Sequence, residues 1–345
     1  MDRLERLAFN ALPAALWPDV TANVYHHRSN QLNCGGQYGY NLFFCCSSNV
    51  HQGWPKFLLS AVQTLVDGRV VISGYSPSTT VVNGANVTVS GTYPFSDVAT
   101  ITVSKPTRLR LRIPCWANGA AVTMPGLGTP QQALPCGFFN VSATAAAPIT
   151  ITFNNSIWLY RWAANTTDGS YSGKGPGQGP AGPNGGSIEL HRGPLVFALR
   201  PNSTVTETPI GCIGGQPSGR YGWNCSSTPG GVPQFPAIKQ RDVQVATAPG
   251  SGGNWSFAIL PATAKFVETG APVPAVPFSA TAVPPVMITV QARNLNAGSG
   301  GSKVWGDPSV PPHSPLASDA ALETIELVPF GSTNIRISVF PELES

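Results

Sequence analysis

The chain has 345 residues, of which 42% are hydrophobic and only 10% are charged, and its net charge is +4. That length exceeds one ordinary hydrophobic core, so we expect two or three domains. The dilute charge excludes the clustered basic surface of a nucleic-acid-binding protein, and no apolar run approaches the roughly 18 residues of a membrane span. The 37 glycines and 34 prolines, separated by short β-rich runs, favour β structure with long loops.

The first predicted element is a helix over residues 2–16. Apolar residues recur there at helical spacing from Leu4 to Leu12. Asp2 is well placed at the N-terminal end, where a negative charge complements the helix dipole. Pro13 limits or kinks the helix, because proline has no N–H to donate.

A second helix is predicted over residues 49–66. An apolar stripe runs from Trp54 to Leu65, and Pro55 fits best in the first turn. The rest of the chain offers few helical segments that could cover the apolar faces of two helices. We therefore expect that both belong to a larger helical domain whose upstream part is absent from this chain. The alternative is that both helices simply pack onto the β structure.

From Arg69 onward the apolar period changes to two, which is typical of strands. The predicted strands cover residues 69–73, 78–90, 98–104, 107–113, 148–153, 156–161, 187–191, 194–199, 286–292, 322–328 and 334–340. Within 107–113, leucine and isoleucine alternate with arginine, which predicts one packed face and one solvated face. Asn83-Gly84 is a hairpin-turn signal inside the second of these runs.

This pattern predicts a mainly β fold, with antiparallel β-sandwich domains preceded by two helices. We divide the chain into a helical unit over 1–67 and a first β-sandwich over 68–162. A second β-sandwich region with long Gly/Pro-rich loops covers 163–345.

The seven cysteines form two local pairs and one crowded group: Cys115 with Cys136, Cys212 with Cys225, and Cys34 with Cys45 and Cys46. Each pair flanks a loop of turn-forming residues, so we predict two disulfides in an oxidising compartment. Adjacent cysteines such as those in the crowded group rarely bond to each other, because the geometry is strained. Metal binding or a thiolate role is therefore a candidate function for that group.

N-glycosylation acceptor triplets are more frequent than chance gives at this Ser/Thr content, and several lie in or beside Gly/Pro-rich stretches. Their asparagines are Asn86, Asn140, Asn154, Asn165, Asn202, Asn224 and Asn254. We expect a secreted glycoprotein; the alternative is a cytosolic protein with meaningless matches. The opening MDRLERLAFNALPAAL is not a signal peptide, because its charges are mixed. We expect that a signal was carried further upstream, or that the chain is not a complete gene product.

The segment YGYNLFFCCSSNVHQGWPKF at 38–57 resembles the signature of glycoside hydrolase family 127, whose characterised members include β-L-arabinofuranosidases. Four further stretches resemble landmarks of that family, in the family's order. They are DRLERLAFNALPA at 2–14, LRLRIPCWANG at 109–119, IELHRGPLVFALR at 188–200 and LVPFGSTNIRISVFP at 327–341. The resemblance implies that the two helices are the last of an (α/α)6 barrel, and that this chain is the C-terminal portion without most of that barrel.

The resemblance also implies a chemistry acting on arabinofuranoside-type glycans. In this family the first cysteine of the pair is the nucleophile, and both cysteines bind zinc together with a Glu-x-Cys from further upstream. Cys45 corresponds to the nucleophile and zinc ligand, and Cys46 to the second ligand. A metal-bound thiol is deprotonated, so it can attack the anomeric carbon, and water then releases the sugar with retention. A separate carboxylic acid must protonate the leaving oxygen.

This chain departs from the family pattern at the other half of the site. No Glu-x-Cys occurs in the sequence, and no Asp or Glu lies between Val20 and Val66. A closed zinc site normally has four ligands, so the zinc site is incomplete and the acid is missing. We therefore predict a fragment of a retaining hydrolase that is inactive as this chain alone. If an acid and further ligands are present after all, Asp19, Asp67 and Cys34 are the first candidates.

Two other functions remain open at the level of sequence. One is a non-catalytic secreted β-sandwich glycoprotein that binds carbohydrate or protein, and the other is a small zinc-stabilised structural module. Without the family resemblance, the Cys45-Cys46 pair after its apolar run would favour buried cysteines with no role. Trp54 could stack on a sugar, but its place on the apolar stripe favours the core.

Overall fold

The computed structural model describes residues 1–20, 23–24, 27–33, 49–162, 186–209, 239–245, 254–297 and 304–344. Its helices are α1 (Asp2–Arg6), continued by a π-helical stretch (Leu7–Ala11) and by α2 (Leu12–Ala14), then α3 (Gly53–Leu59) and a 3₁₀ turn (Phe330–Ser332). Its strands are β1 (Asn30–Gln31), β2 (Val62–Thr64), β3 (Val70–Ile72), β4 (Ser78–Val82), β5 (Ala85–Gly91), β6 (Val98–Val103), β7 (Thr107–Ile113), β8 (Ala121–Thr123), β9 (Gln131–Gln132), β10 (Gly137–Ala143), β11 (Ile149–Thr152), β12 (Ile157–Arg161), β13 (Ile188–Arg192), β14 (Leu195–Leu199), β15 (Ser203–Pro209), β16 (Lys239–Val245), β17 (Phe257–Glu268), β18 (Val286–Asn294), β19 (Leu322–Pro329) and β20 (Arg336–Ile337).

Two sheets form the first sandwich. One has four strands in the order β10-β7-β3-β2, and the other has six in the order β4-β5-β6-β11-β8-β9. Strands β3 and β7 pair in parallel, and the other neighbouring strands of these two sheets are antiparallel. Ile72 and Leu111 from the first sheet share one buried core with Ile101 and Ile151 from the second. The predicted fold class, mainly β with antiparallel sandwiching, is confirmed.

A larger sheet of eight strands lies beyond the first sandwich in sequence. Its main order is β1-β20-β14-β19-β18-β17, and β12 and β13 join it at β14. Because β12 pairs with β13, the chain passes from one sheet system to the other between Thr152 and Ile157. That point lies a few residues before the boundary placed at 162, and the division into domains stays a prediction.

The prediction of a helix over 49–66 is wrong in its second half. Helix α3 ends at Leu59, and Val62–Thr64 forms strand β2 against β3. The Asp67-Gly68 turn brings the two strands together, with Gly68 at φ +81°, a conformation that glycine adopts without strain. The apolar run that suggested a helical stripe thus serves a β-hairpin, and its β-branched residues fit a strand better than a helix.

The alternation in β7 predicts the buried apolar face correctly, but one of the arginines that it predicts to be solvated is buried. Leu109, Leu111 and Ile113 are buried as expected. Arg112, however, is buried rather than solvated, because Asp2 and Glu5 of α1 form ion pairs with its guanidinium. A face that is solvated in an isolated sheet is here covered by the N-terminal helix.

The predicted turn at Asn83-Gly84 is present between β4 and β5. Both residues have positive φ, +51° and +71°, as a two-residue hairpin loop of type I′ requires. Eight strands were not predicted: β1, β2, β8, β9, β10, β15, β16 and β17. In the described ranges, none of the helices has the length and apolar character needed to cross a membrane.

Candidate functional site

Phe9 fixes the N-terminal helix on the rest of the protein. Its ring is 2% exposed, and its centroid lies 5.4 Å from that of Phe57, 5.8 Å from Trp54 and 5.7 Å from Tyr93. Edge-to-face and tilted aromatic packing at these distances is favourable beyond simple burial. Trp54 and Phe57 from the HQGWPKF part of the signature therefore pack against the N-terminal helix, with Phe57 in the core and Trp54 half-buried against it.

An open cavity of about 450 Å³ lies beside these helices. Its described walls are mainly apolar, with Leu7, Ala11 and Leu12 from the N-terminal helix and Gly53 from the start of α3. His27 and Asn49 are among its polar lining groups. Asn49, Val50 and Gly53 belong to the signature segment 38–57, so the described end of that segment lines the cavity.

The imidazole of His27 is held neutral at the cavity wall. Burial, and then the charge of Arg336, lower the pKa of His27 to about 4. A ring N–H donates to the backbone carbonyl of Ala11, while Nδ1 lies 3.4 Å from Nη1 of Arg336 and accepts from it. Both ring nitrogens therefore have partners that position the loop, and the lowered pKa keeps the imidazole neutral at pH 7.

Arg336 holds the loop that carries His27 in place. The side chain is fully buried, and its guanidinium lies over the ring of Phe330, 4.5 Å from the centroid. It donates from Nη1 to the Arg28 carbonyl at 2.7 Å and from Nε to the Thr333 hydroxyl at 2.8 Å. These contacts join the loop that carries His27 to the terminal strand region.

None of the described carboxyl groups lines the cavity. Five of them are paired in ion pairs or hydrogen bonds elsewhere: Glu5 and Asp2 with Arg112, Asp97 with Arg192, Glu189 with His191, and Glu342 with Arg161. Burial raises the pKa of Glu5, although Arg112 and the Tyr93 hydroxyl oppose that shift. Glu5 is nevertheless fully buried and cannot reach a substrate.

Asp67, one of two acids named as candidates, is engaged on the surface. Hydrogen bonds from Arg69 lower the pKa of its carboxyl group, and the Arg69 Nε donates to Oδ2 at 2.7 Å. A carboxyl group with a lowered pKa is ionised at neutral pH and so is a poor proton donor. The second candidate, Asp19, makes at least one polar or electrostatic contact of its own and does not line the cavity.

The predicted cysteines divide into described and undescribed residues. Cys115 and Cys136 form a disulfide, with Cα atoms 4.1 Å apart. The remaining predicted cysteines lie outside the described residues: Cys34, Cys45, Cys46, Cys212 and Cys225. No group of three or more His, Cys, Asp or Glu side chains that could hold a metal occurs among the described residues. The described part of the chain thus does not supply a zinc site, and the assignment of Cys45 and Cys46 as ligands stays a prediction.

Sequence reasoning missed the His27–Arg336 pair and the Arg112–Glu5 pair. Each joins residues more than a hundred positions apart, and arginine in a strand ordinarily indicates a solvated face. One signal was available for the second pair, since two acidic residues in the first turn of a helix need a cationic partner if that helix is buried.

The helix pair packed on a β-sandwich, followed by the larger sheet, defines a mainly β protein with several antiparallel sheets. Three solved structures match over 99% of this chain. One is described as a glycoside hydrolase (13% identity, TM-score 0.57, 48% of its chain), one as a family 127 β-L-arabinofuranosidase from Geobacillus stearothermophilus T6 (14%, 0.57, 46%) and one as a family 127 β-arabinofuranosidase (14%, 0.59, 45%).

The sequence resemblance to family 127 is confirmed at the level of the fold. The chain spans about half the length of the solved structures that it matches. No protein-family model matches the sequence, and no curated protein matches it.

Proposed function

We propose that this chain is the C-terminal portion of a secreted, retaining glycoside hydrolase that acts on arabinofuranoside-type glycans, with Cys45 as nucleophile. The observation that carries the proposal is the fold match over 99% of the chain to two structures described as arabinofuranosidases. The Cys-Cys signature supports the substrate class and the nucleophile, since it lies at the same point of the chain order as in that family. The Cys115–Cys136 disulfide supports secretion.

The cavity beside the signature supports the placement of the site. Its volume, about 450 Å³, falls in the range of sites for small organic ligands. The walls are largely apolar with a few polar groups, Asn49 and His27 among them. The role of His27 is positioning, because its two ring nitrogens are bonded to Ala11 and Arg336.

Zinc is the cofactor that the sequence resemblance implies, with Cys45 and Cys46 as its ligands. Bound there, it would keep the thiols deprotonated. Because the described residues contain no further cluster of ligands, no step of the reaction is assigned to the metal.

The test is hydrolysis of an aryl β-L-arabinofuranoside. Residues 1–345 alone are expected to show no appreciable turnover, because no described carboxyl group lines the cavity and loss of a general acid costs roughly 10² to 10⁴-fold. A longer protein that adds a Glu-x-Cys and an acid/base Glu upstream should be active. In that protein Cys45→Ser should abolish turnover, whereas Ser47→Ala, two residues away, should leave most of it.

Two outcomes would contradict the proposal. Zinc-dependent turnover by residues 1–345 alone would show that the acid and the other ligands lie within this chain. Full activity of Cys45→Ser in the longer protein would remove the nucleophile assignment.

A second candidate is a non-catalytic secreted β-sandwich glycoprotein that binds carbohydrate or protein. The observation in its favour is the same cavity, whose described walls carry no carboxylate. Calorimetry with arabino-oligosaccharides separates the two candidates, since binding without turnover by the longer protein supports the second.

A further inference from the structure

The five acceptor asparagines within the described residues are all exposed: Asn86, Asn140, Asn154, Asn202 and Asn254. The eleven described asparagines outside acceptor triplets are more mixed: Asn33, Asn49, Asn83 and Asn118 are exposed, Asn10 and Asn30 are buried, and Asn23, Asn155, Asn294, Asn296 and Asn334 are half-buried. All five described acceptor positions are therefore accessible, whereas fewer than half of the other described asparagines are exposed.

Asn140 lies on an edge strand of the first sandwich, and Asn86 lies on the strand next to an edge. Strand β10 is an edge of the four-stranded sheet, and Asn140 lies in its middle. Strand β4 is an edge of the six-stranded sheet, and Asn86 lies directly opposite Val81 of that strand. Opposed residues of an antiparallel pair have Cβ atoms roughly 5 Å apart, so a group on Asn86 also covers β4.

Neither edge has the usual protection against pairing with another chain. Natural edge strands are blunted by charged residues, proline or bulges. Strands β4, STTVV, and β10, GFFNVSA, contain no charged residue and no proline. The edge strand β17 of the large sheet provides the contrast, because it contains Pro261, Lys265, Glu268 and a register shift.

Each of the two edges also presents an exposed apolar side chain beside its acceptor. Val81 is 71% exposed opposite Asn86, and Phe138 is 46% exposed two residues before Asn140. Exposed apolar side chains on an unprotected edge are an aggregation hazard. With only 10% charged residues in the chain, charge repulsion contributes little to keeping such edges apart.

We propose that Asn86 and Asn140 carry N-linked glycans that cover the exposed edges of the first sandwich and keep the protein from associating edge to edge. Nδ2 of each asparagine attacks C1 of a lipid-pyrophosphate-linked oligosaccharide. The N–C bond forms as the C1–oxygen bond to phosphate breaks, the amide gives up one proton, and the lipid pyrophosphate leaves. The Cys115–Cys136 disulfide is independent support, because disulfides form in the compartment where this transfer takes place.

The first experiment measures occupancy. The full chain is expressed in eukaryotic cells behind a secretion signal and treated with peptide N-glycosidase in ¹⁸O-water, which converts an occupied Asn to labelled Asp. Peptide mapping is expected to show label at Asn86 and Asn140. No label at either position in the secreted protein overturns the proposal.

The second experiment tests the covering role. The double variant Asn86→Gln/Asn140→Gln should show several-fold more aggregate by light scattering than the wild-type chain at equal concentration. Two controls are matched to it: Thr88→Ser keeps the acceptor triplet, and Asn118→Gln changes an exposed asparagine outside any triplet. Both should behave as wild type.

If the double variant fails to fold, the glycans are instead trimmed from the folded wild-type protein with an endoglycosidase. Trimming should raise aggregation while the urea midpoint stays within error. Occupied sites whose removal or trimming leaves aggregation unchanged overturn the covering role. This result is independent of the proposed hydrolase activity, which depends on Cys45 and not on these asparagines.

Discussion

Arg112 is buried where α1 meets β7, and its guanidinium contacts the carboxylates of Asp2 and Glu5. The Tyr93 hydroxyl donates to Glu5 at 2.9 Å, and the Tyr75 hydroxyl donates to the Arg112 carbonyl. Burial raises the pKa values of both tyrosines, so they stay protonated and act as donors. A buried ion pair gives little net stability against an apolar alternative, but it penalises any arrangement that leaves one charge unpaired. The network therefore specifies where the N-terminal helix lies.

Removing the cation alone should be costly. In Arg112→Leu, Glu5 stays in a site from which water is excluded, so we expect a loss of about 3–5 kcal/mol in the free energy of unfolding. Urea denaturation followed by circular dichroism measures it. Arg108→Leu, on the same strand face but exposed, is the control and should change stability by about 0.5 kcal/mol or less. Equal losses in the two variants would contradict the assignment of a buried pair.

His27 gives a pH dependence whose sign follows from its lowered pKa. The folded imidazole has a pKa of about 4 and binds a proton only near that pH, whereas in the unfolded chain it does so near its ordinary pKa of 6.5. The unfolded state therefore binds more protons between these values, and stability is lost as pH falls from about 6.5 towards 4. The loss is at most about 3.5 kcal/mol, since each pKa unit is worth about 1.4 kcal/mol.

The matched variant is His27→Gln, whose amide is neutral and still offers a donor and an acceptor for Ala11 and Arg336. Urea midpoints at pH 7 and pH 4.5 should differ less for this variant than for the wild-type chain. Parallel pH curves for the two proteins would show that His27 is solvated in the folded state.

At the scale of elements, the two faces of α3 differ sharply. Phe57 is 7% exposed and packs on Phe9, while Leu59 is 78% exposed. We expect Phe57→Ala to cost about 3–5 kcal/mol because it empties a packed aromatic site. Leu59→Ala, on the same helix, should cost less than about 0.5 kcal/mol. Thermal denaturation of the two variants checks the contrast, and a large loss in Leu59→Ala would mean that this face is covered.

The same element shows what a sequence can and cannot specify. Six of the ten strands of the first sandwich were predictable because alternation, as in Leu109 and Leu111, is a local signal, and the Asn83-Gly84 turn favours a type I′ geometry. The run 62–66 was misassigned because a short apolar segment fits both periods, and pairing with β3 decided between them. Strand β10, with few residues of clear alternation, is specified by its antiparallel pairing with β7.

The site follows the same rule. The Cys-Cys signature and the cavity-lining Asn49 are visible in sequence because they lie within one segment. Arg336 is not, because its place beside His27 depends on how the last strand returns to the N-terminal loop. Long-range polar contacts of this kind are set by topology, and a single sequence gives no register for them.

At the scale of the whole molecule, one hydrophobic core connects the N-terminal helix, both sheets of the first sandwich and the large sheet. Ala8 and Phe9, Ile101 and Leu111, and residues as late as Leu343 belong to it. Such continuity favours unfolding in one step. The helix and the sheets share one core, so none of them can unfold without exposing apolar surface of the others. The alternative, domains that unfold separately, needs a boundary with few shared contacts.

Tryptophans report on the two regions and make this testable. Trp54 and Trp116 pack against the core near the helices and the first sandwich, whereas Trp255 and Trp305 form an edge-to-face pair beside the large sheet, 5.2 Å apart. One variant keeps only Trp54 and Trp116 and the other keeps only Trp255 and Trp305, with the remaining six of the eight tryptophans replaced by phenylalanine, so the fluorescence of each variant reports on one region. The two variants' fluorescence transitions in urea should each coincide with their own circular dichroism transition. Separate midpoints for fluorescence and circular dichroism in either variant would show that the sheets unfold independently, and that the shared core contributes packing without cooperativity.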